Sequence, residues 1–339
     1  MKQFLEEYGK AIFVLVLMAI LIAFASSLGI MIKEYITNKV SQTEEIADDE
    51  QYLRGYGRPK EPERTINQVY CILYDDGELT ISQNETEPES GRTVLNKGYY
   101  QRPRDIDTTD GKQYIRKVKF IEAVKPKNCS YWFGSDSYKT LDTDCCIYLT
   151  KIENLNYLYT NECINMDGMF YGCKNLLTLD VSKFDTSNVT TMIWMFGMCT
   201  NLTTLNLSNF NISNVKTMSG IFEGCVNLKT LNINNWNTSN VTSMDYMFTN
   251  CKNLTILDIS NFNTSNVTNM YAMFNNCSNL ITLDVSNFDT SNVTNMSEMF
   301  AACKNLTVDC SNFDISNVTS HDRFKLNAPG VTTPDSSWT

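Results

Sequence analysis

The sequence predicts an α/β-type repeat solenoid, with one short strand and one short helical or 3-10 turn per coil. A small β-rich region and an N-terminal transmembrane helix are expected to precede it. Three observations carry this expectation. Cys173, Cys199, Cys225, Cys251, Cys277 and Cys303 recur every 26 residues, each inside the same apolar skeleton. An Asp-Gly turn sits between two β-rich runs near residue 76. Residues 11–32 form a stretch of 22 residues without a charge.

Composition narrows the function classes before any motif is sought. The 339 residues allow one large or two ordinary domains. Acidic residues number 38 against 28 basic, a net charge of −10, which disfavours a nucleic-acid binder needing a basic face. The lone histidine, His321, argues against His-rich metal sites and histidine acid–base chemistry. Only 19% of residues are charged although 42% are hydrophobic. Asn, Thr and Ser fill the gap, so the surface is neutral and polar. Glycine (15) and proline (7) are too few for collagen-like or Pro-rich disordered sequence.

After a short flank, residues 1–10, the uncharged stretch 11–32 lies between Lys10 and Lys33. At about 1.5 Å per residue, a helix of this length spans the roughly 30 Å of bilayer hydrocarbon. It reads as an uncleaved anchor. The alternative is a signal peptide cut after Ala23-Phe24-Ala25, with secretion as the outcome. Apolar character resumes at Leu28-Gly29-Ile30-Met31-Ile32, and Glu6 and Glu7 offset the basic flank, which favours the anchor. The flanking lysines are balanced, so the N-inside, C-outside orientation rests on organisation rather than charge. The expected location is therefore a single-pass membrane protein with its repeats outside the cell.

Residues 33–65 form a charged stalk. Glu44, Glu45, Asp48, Asp49 and Glu50 are an acidic run, and Gly55, Gly57, Pro59 and Pro62 break any helix. Residues 66–130 form the β-rich lead-in. Val69-Tyr70-Cys71-Ile72-Leu73-Tyr74 and Glu78-Leu79-Thr80-Ile81-Ser82 flank Asp75-Asp76-Gly77 as a hairpin. The adjacent glycine makes Asp75 and Asp76 a turn rather than a catalytic carboxylate pair. A third strand is expected over Tyr114-Ile115-Arg116-Lys117-Val118-Lys119-Phe120, and residues 84–111 read as a polar loop.

Six repeats occupy residues 166–320. They begin at Met166, Met192, Met218, Met244, Met270 and Met296, the last one residue short. Phe170, Phe196, Phe222, Phe248, Phe274 and Phe300 form one column, and Leu176, Leu202, Leu228, Leu254, Leu280 and Leu306 another. Val189, Val215, Val241, Val267, Val293 and Val318 form a third. Leu254-x-x-Leu257-x-Ile259 has leucine-rich-repeat-like strand spacing, with Leu257 and Ile259 on one face. Asn263-Thr264-Ser265-Asn266 is a turn. Val267-x-x-Met270-x-x-Met273-Phe274-x-x-Cys277 has the threes and fours of a short helical or 3-10 segment. One such coil cannot bury its apolar face alone, but stacked coils can.

In that arrangement the column cysteines are reduced, small apolar core residues, since six equivalent positions give no basis for pairing two by two. The methionines are core filler, not metal ligands. Asn188, Asn214, Asn240, Asn266, Asn292 and Asn317 are expected to bond backbone at the turns. Residues 131–165 form a degenerate first coil, in which residues 134–146 are a 13-residue insertion. Residues 321–339 form a partial coil and tail, where His321 is a terminal-coil residue rather than a ligand.

The string running from Leu280 to Cys303, Leu-x-x-Leu-Asp-x-Ser-x-Phe-Asp-Thr-Ser-Asn-Val-Thr-x-Met-x-x-Met-Phe-x-x-Cys, resembles the BspA-like leucine-rich-repeat surface proteins of bacteria. The likeness covers about residues 131–324, and the β-rich lead-in resembles what often precedes such repeats. It implies a surface-anchored or secreted solenoid associated with adhesion to host proteins, surfaces or other cells, with no catalytic residues and no cofactor. Members with a C-terminal sorting signal differ from this sequence, which ends without one.

The expected function is therefore a non-catalytic, adhesin-like binding module for an unknown protein or cell-surface ligand, held in the membrane by residues 11–32 and not binding nucleic acid. The candidate contact strip is Thr178, Asp180, Thr204, Asn206, Thr230, Asn232, Ile256, Asp258, Thr282 and Asp284, all flanking buried leucines. A passive spacer is the alternative. An enzyme housed in residues 66–165 is a third reading, opposed by the lack of a nucleophile–histidine pairing, a phosphate loop or metal spacing.

Overall fold

A computed structural model describes residues 58–106, 115–135 and 148–338. The chain divides into Met1–Arg58 and Pro59–Thr339, and the fold below is that of the second unit. The expected hairpin forms. Strand β1 (Val69–Tyr74) and strand β2 (Glu78–Ser82) pair antiparallel, with Leu73 opposite Leu79. Both are buried on both faces, which suits their continuous β-branched and aromatic runs. At the turn, Gly77 takes φ +85°, a conformation that glycine adopts without steric cost, and Asp76 accepts the Glu78 N–H at 3.0 Å. Asp75 and Asp76 are turn residues.

Strand β3 (Val94–Tyr100) pairs antiparallel with β1 inside the stretch expected to be a polar loop. Asn96, Lys97 and Gly98 conceal it in the sequence. As an edge strand it alternates half-buried and exposed residues, so tertiary pairing rather than propensity makes it a strand. Strand β4 (Lys117–Phe120) is the expected third strand, shortened, and runs parallel to β2. Strand β5 (Lys151–Glu153) adds in parallel to β4, giving the order β3-β1-β2-β4-β5.

Beyond β5 the α/β repeat solenoid expected from the sequence is corrected. Among the described residues there is no α-helix. The strand expected in every repeat forms in only three of the six, at β6 (Thr204–Asn206) and β7 (Thr230–Asn232), which pair in parallel, and at β8 (Val308–Asp309) in the sixth. At the C-terminal end β8 pairs in parallel with β9 (Val331–Thr332). The 26-residue units instead meet through single parallel bridges, running Asn128, Asn165, Thr191, Thr217, Ser243, Asn269, Asn295, Ser320.

The absence of the helix has a local cause. Trp194 and Met198, Tyr246 and Asn250, and Ala272 and Asn276 all have φ between 52° and 62°, four residues apart in each unit. Residues in the left-handed region interrupt a right-handed helix. The segment becomes overlapping turns, as in Met195 N–H to Met192 O (3.2 Å) and Gly197 N–H to Trp194 O (3.0 Å). Alternate N–H groups leave the unit altogether: Trp194 donates to Ser219 O at 2.9 Å and Phe196 to Ile221 O at 3.0 Å. Gly168, Gly172, Gly220 and Gly224 occupy the same two columns at positive φ and were the signal for this conformation in the sequence.

The membrane location is also corrected. Among the described residues no helix is long and apolar enough to cross a membrane. The anchor expected over residues 11–32, the cleavage point near Ala25 and most of the stalk lie outside the described residues.

The buried set is what the columns foretold. One hydrophobic cluster runs from Ile66 to Trp338 and holds the Phe, Leu, Met and Cys columns. Phenylalanine rings stack from Phe133 through Phe300, with successive centroids 5.4 to 6.0 Å apart and Phe274 and Phe300 only 4° from parallel. Phe324 meets Phe300 edge-on, and Trp338 packs edge-on against Phe324 at 5.0 Å, ending the ladder. His321 stacks flat on Trp338 at 4.4 Å, so it serves the last turn. The expected Asn ladder is present. Asn240 Nδ2 donates to Ser213 O at 2.6 Å and Asn266 Nδ2 to Ser239 O at 2.7 Å, each reaching back to the preceding unit.

Candidate functional site

The candidate strip follows from the buried columns beside it. Leu205, Leu257 and Leu283 point inward, and the residues flanking them are turned out. Thr178, Asp180, Asn206, Thr230, Ile256, Asp258, Thr282 and Asp284 are exposed, while Thr204 and Asn232 are half-buried. Parallel bonding brings neighbouring units into register: Thr204 pairs with Thr230 and Asn206 with Asn232. A bridge joins Thr282 to Thr307.

The acidic and amide members of the strip already have local work. Asp180, Asp258 and Asp284 each accept the N–H of the serine two residues on, at 2.9 to 3.1 Å. Asn206 does the same at 3.2 Å. These are Asx turns that steer the chain out of the strip. Hydrogen bonds from the Ser260 hydroxyl and N–H hold the Asp258 carboxyl below its ordinary range, so it stays charged at neutral pH. What remains free for contact is the threonine hydroxyls and an apolar element that the sequence reading noted only at Ile256. Leu177, Ile256 and Ile281 are 61%, 69% and 56% exposed. Ile256 and Ile281 lie on adjacent units, joined by the bond from Ile281 N–H to Thr255 O at 3.4 Å.

A second face, over the run of turns, was missed by sequence reasoning. The Trp194 indole N–H donates to Glu223 at 3.0 Å, and Tyr246 meets Tyr271 edge-on at 4.9 Å. Asp245 accepts bonds from the Ser219 and Ser243 hydroxyls. Burial raises the Glu223 carboxyl, and the Asp245 charge pushes the same way. Burial, then the bond to Tyr271, lifts the Tyr246 phenol to about 12. The large and small residues of one column explain the packing: Tyr131 covers Gly168, and Trp194 covers Gly220, where a Cβ would lie 2.1 Å from the indole.

Asp167, also on this face, accepts from the Thr191 hydroxyl at 2.6 Å and the Ile193 N–H at 2.7 Å. Burial outweighs these bonds and raises its carboxyl. A carboxyl with a raised folded-state pKa is stabilised by protonation, so its cost to folding is present above that pKa and fades as pH falls through it. Asp167→Asn keeps an acceptor for both donors and removes the charge. Its melting temperature should match or exceed that of the parent at pH 7, with the gain shrinking towards pH 4. A loss that is the same at both pH values would show that the bonds, not the buried charge, dominate.

The column cysteines are thiols, and each has a partner. Cys251 Sγ donates to Phe222 O at 3.2 Å and Cys277 Sγ to Phe248 O at 3.1 Å, one unit back. Burial pushes the Cys225 thiol up to about 12, far from the reactive thiolate form. Among the described residues no group of three or more His, Cys, Asp or Glu side chains is placed to hold a metal ion.

No curated protein and no solved structure matches this chain. A family profile does, over residues 147–254 and 221–338, which together cover more than half the sequence and all six repeats. The repeats traced above as columns are the region that profile describes, and the chain belongs to the family described as Mycoplasma protein of unknown function, DUF285.

Proposed function

We propose that this chain is a non-catalytic binding module that presents the strip from Thr178 to Asp284 to a protein or cell-surface ligand. The observation that carries this reading is the exposure of Ile256 and Ile281, 69% and 56% accessible, on adjacent units joined by the bond from Ile281 N–H to Thr255 O. Apolar side chains clustered in a polar surround are what protein interfaces use. The resemblance of the repeat string to BspA-like leucine-rich-repeat surface proteins supports the same reading. A passive spacer is the second reading, favoured by the Asx turns that occupy Asp180, Asn206, Asp258 and Asp284.

The test is a binding measurement with the immobilised full chain against purified cell-surface and matrix proteins, repeated with the Ile256→Ser/Ile281→Ser double variant. Both positions are exposed, so melting should change little. A ligand that binds the parent and loses tenfold or more in affinity with the variant supports the strip. A ligand indifferent to the change moves the contact elsewhere, and no ligand at all favours the spacer.

A further inference from the structure

We propose that Cys129 and Cys163 form a disulfide that fastens the end of the β-rich lead-in to the end of the degenerate first coil, while the six column cysteines stay reduced. Neither residue belongs to the cysteine column. Cys129 N–H donates to Asn165 O at 3.0 Å, as Met166 N–H donates to Thr191 O at 3.1 Å, so Cys129 stands where the repeats carry methionine. Cys163 N–H donates to Thr160 O at 2.9 Å, as Val189 N–H donates to Thr186 O at 3.0 Å, so Cys163 stands where they carry valine. The same two columns hold Met166 and Val189, Met192 and Val215, Met218 and Val241, and so on through Met296 and Val318. Cysteine therefore replaces both members of one apolar pair at once, where the end of the lead-in packs beside the end of the degenerate coil.

The geometry brings the two side chains together. Asn128 and Asn165 form a parallel bridge, and Ile164 N–H donates to Lys127 O at 3.0 Å, so the two backbones run side by side. Cys129 and Cys163 are free, buried thiols close enough to interact with each other, and Cys163 Sγ donates to Pro126 O at 3.3 Å. Both residues are fully buried. Cys129 differs from the column thiols, each of which donates to a phenylalanine carbonyl as Cys251 does to Phe222 O, because its neighbour is another thiol.

The bond forms by exchange with a small-molecule disulfide such as oxidised glutathione. One cysteine thiolate attacks a glutathione sulfur and releases a glutathione thiolate. The second thiolate then attacks the mixed disulfide and releases the other. Two protein thiols are oxidised and one disulfide is reduced to two thiols, so the electrons balance. Burial raises the Cys129 thiol and denies access, so the step belongs to folding, before the coil packs.

The experiment refolds the full chain in a glutathione redox buffer, alkylates it in denaturant without reductant, and digests it with trypsin. The expected product links the peptide of residues 128–139 to that of residues 152–174, with fragmentation placing the bond on Cys163 and the alkyl label on Cys173. The oxidised chain should melt roughly 5–10 °C above the reduced chain. The Cys129→Met/Cys163→Val double variant restores the residues of the repeat columns and should melt alike with and without reductant. Alkyl label on both Cys129 and Cys163, or a bond from either to Cys145, Cys146 or a column cysteine, overturns the proposal. An equal redox shift in the double variant overturns it as well. The peptide map of the parent chain decides the matter even if the double variant does not fold.

Discussion

Phe248→Ala is expected to lower the unfolding free energy by about 3–5 kcal/mol. The ring is fully buried between two like rings, 5.6 Å from Phe222 and 5.5 Å from Phe274. Truncation opens a cavity in the middle of the ladder and breaks two stacked contacts, each contributing about 0.5–1.5 kcal/mol beyond area burial. In a repeat array each unit is held only by its neighbours, so the loss weakens two interfaces at once. Chemical denaturation of parent and variant measures it. A change under about 1 kcal/mol would mean that the ladder can close around the gap and that the column is not the main source of cohesion.

Leu254→Ala should cost about 2–5 kcal/mol, whereas Asp258→Ala, four residues on, should cost no more than about 1 kcal/mol. Leu254 has no accessible surface, and Asp258 is exposed. The residual cost at Asp258 reflects the bonds its carboxylate accepts from the Ser260 N–H at 3.1 Å and hydroxyl at 2.7 Å. That contribution is present while the carboxyl is charged. Because its pKa is lowered in the folded state, the contribution is lost as pH falls through that lowered value. Thermal melts of the two variants at neutral pH decide the matter. Equal destabilisation would mean that the inward and outward positions of this segment have been exchanged, and the candidate strip with them.

The two variants also separate two sources of information. That Leu254 is buried and Asp258 exposed was legible in the sequence, because each column repeats the same residue class six times over. Burial of Phe248, Met244 and Cys251 was legible for the same reason. The reach of Asn266 to the preceding unit was partly legible: a bond to backbone at the turn was expected, but not which carbonyl, Ser239, would accept it. The strip was legible as a set of outward positions. Its apolar patch was not, because Ile281 falls one column away from the alternation that defined the strip.

What the sequence alone determined is the register: where each unit begins, which columns are buried, and that the lead-in opens with a hairpin. Transfer of apolar surface from water depends on residue type, so a periodic pattern of types fixes a periodic pattern of burial. The backbone path between buried positions was decided by the tertiary structure. Spacings of three and four suit a helix, yet Trp194 N–H and Phe196 N–H bond to the next unit instead of to their own turn. A helix would have consumed those donors internally. Stacking offers them partners outside the unit, and the left-handed residues at Trp194 and Met198 turn them there. The same holds for β3, whose Asn96, Lys97 and Gly98 become a strand because β1 presents an open edge. Residue types decided what is inside, and the neighbouring chain segments decided where the hydrogen bonds go.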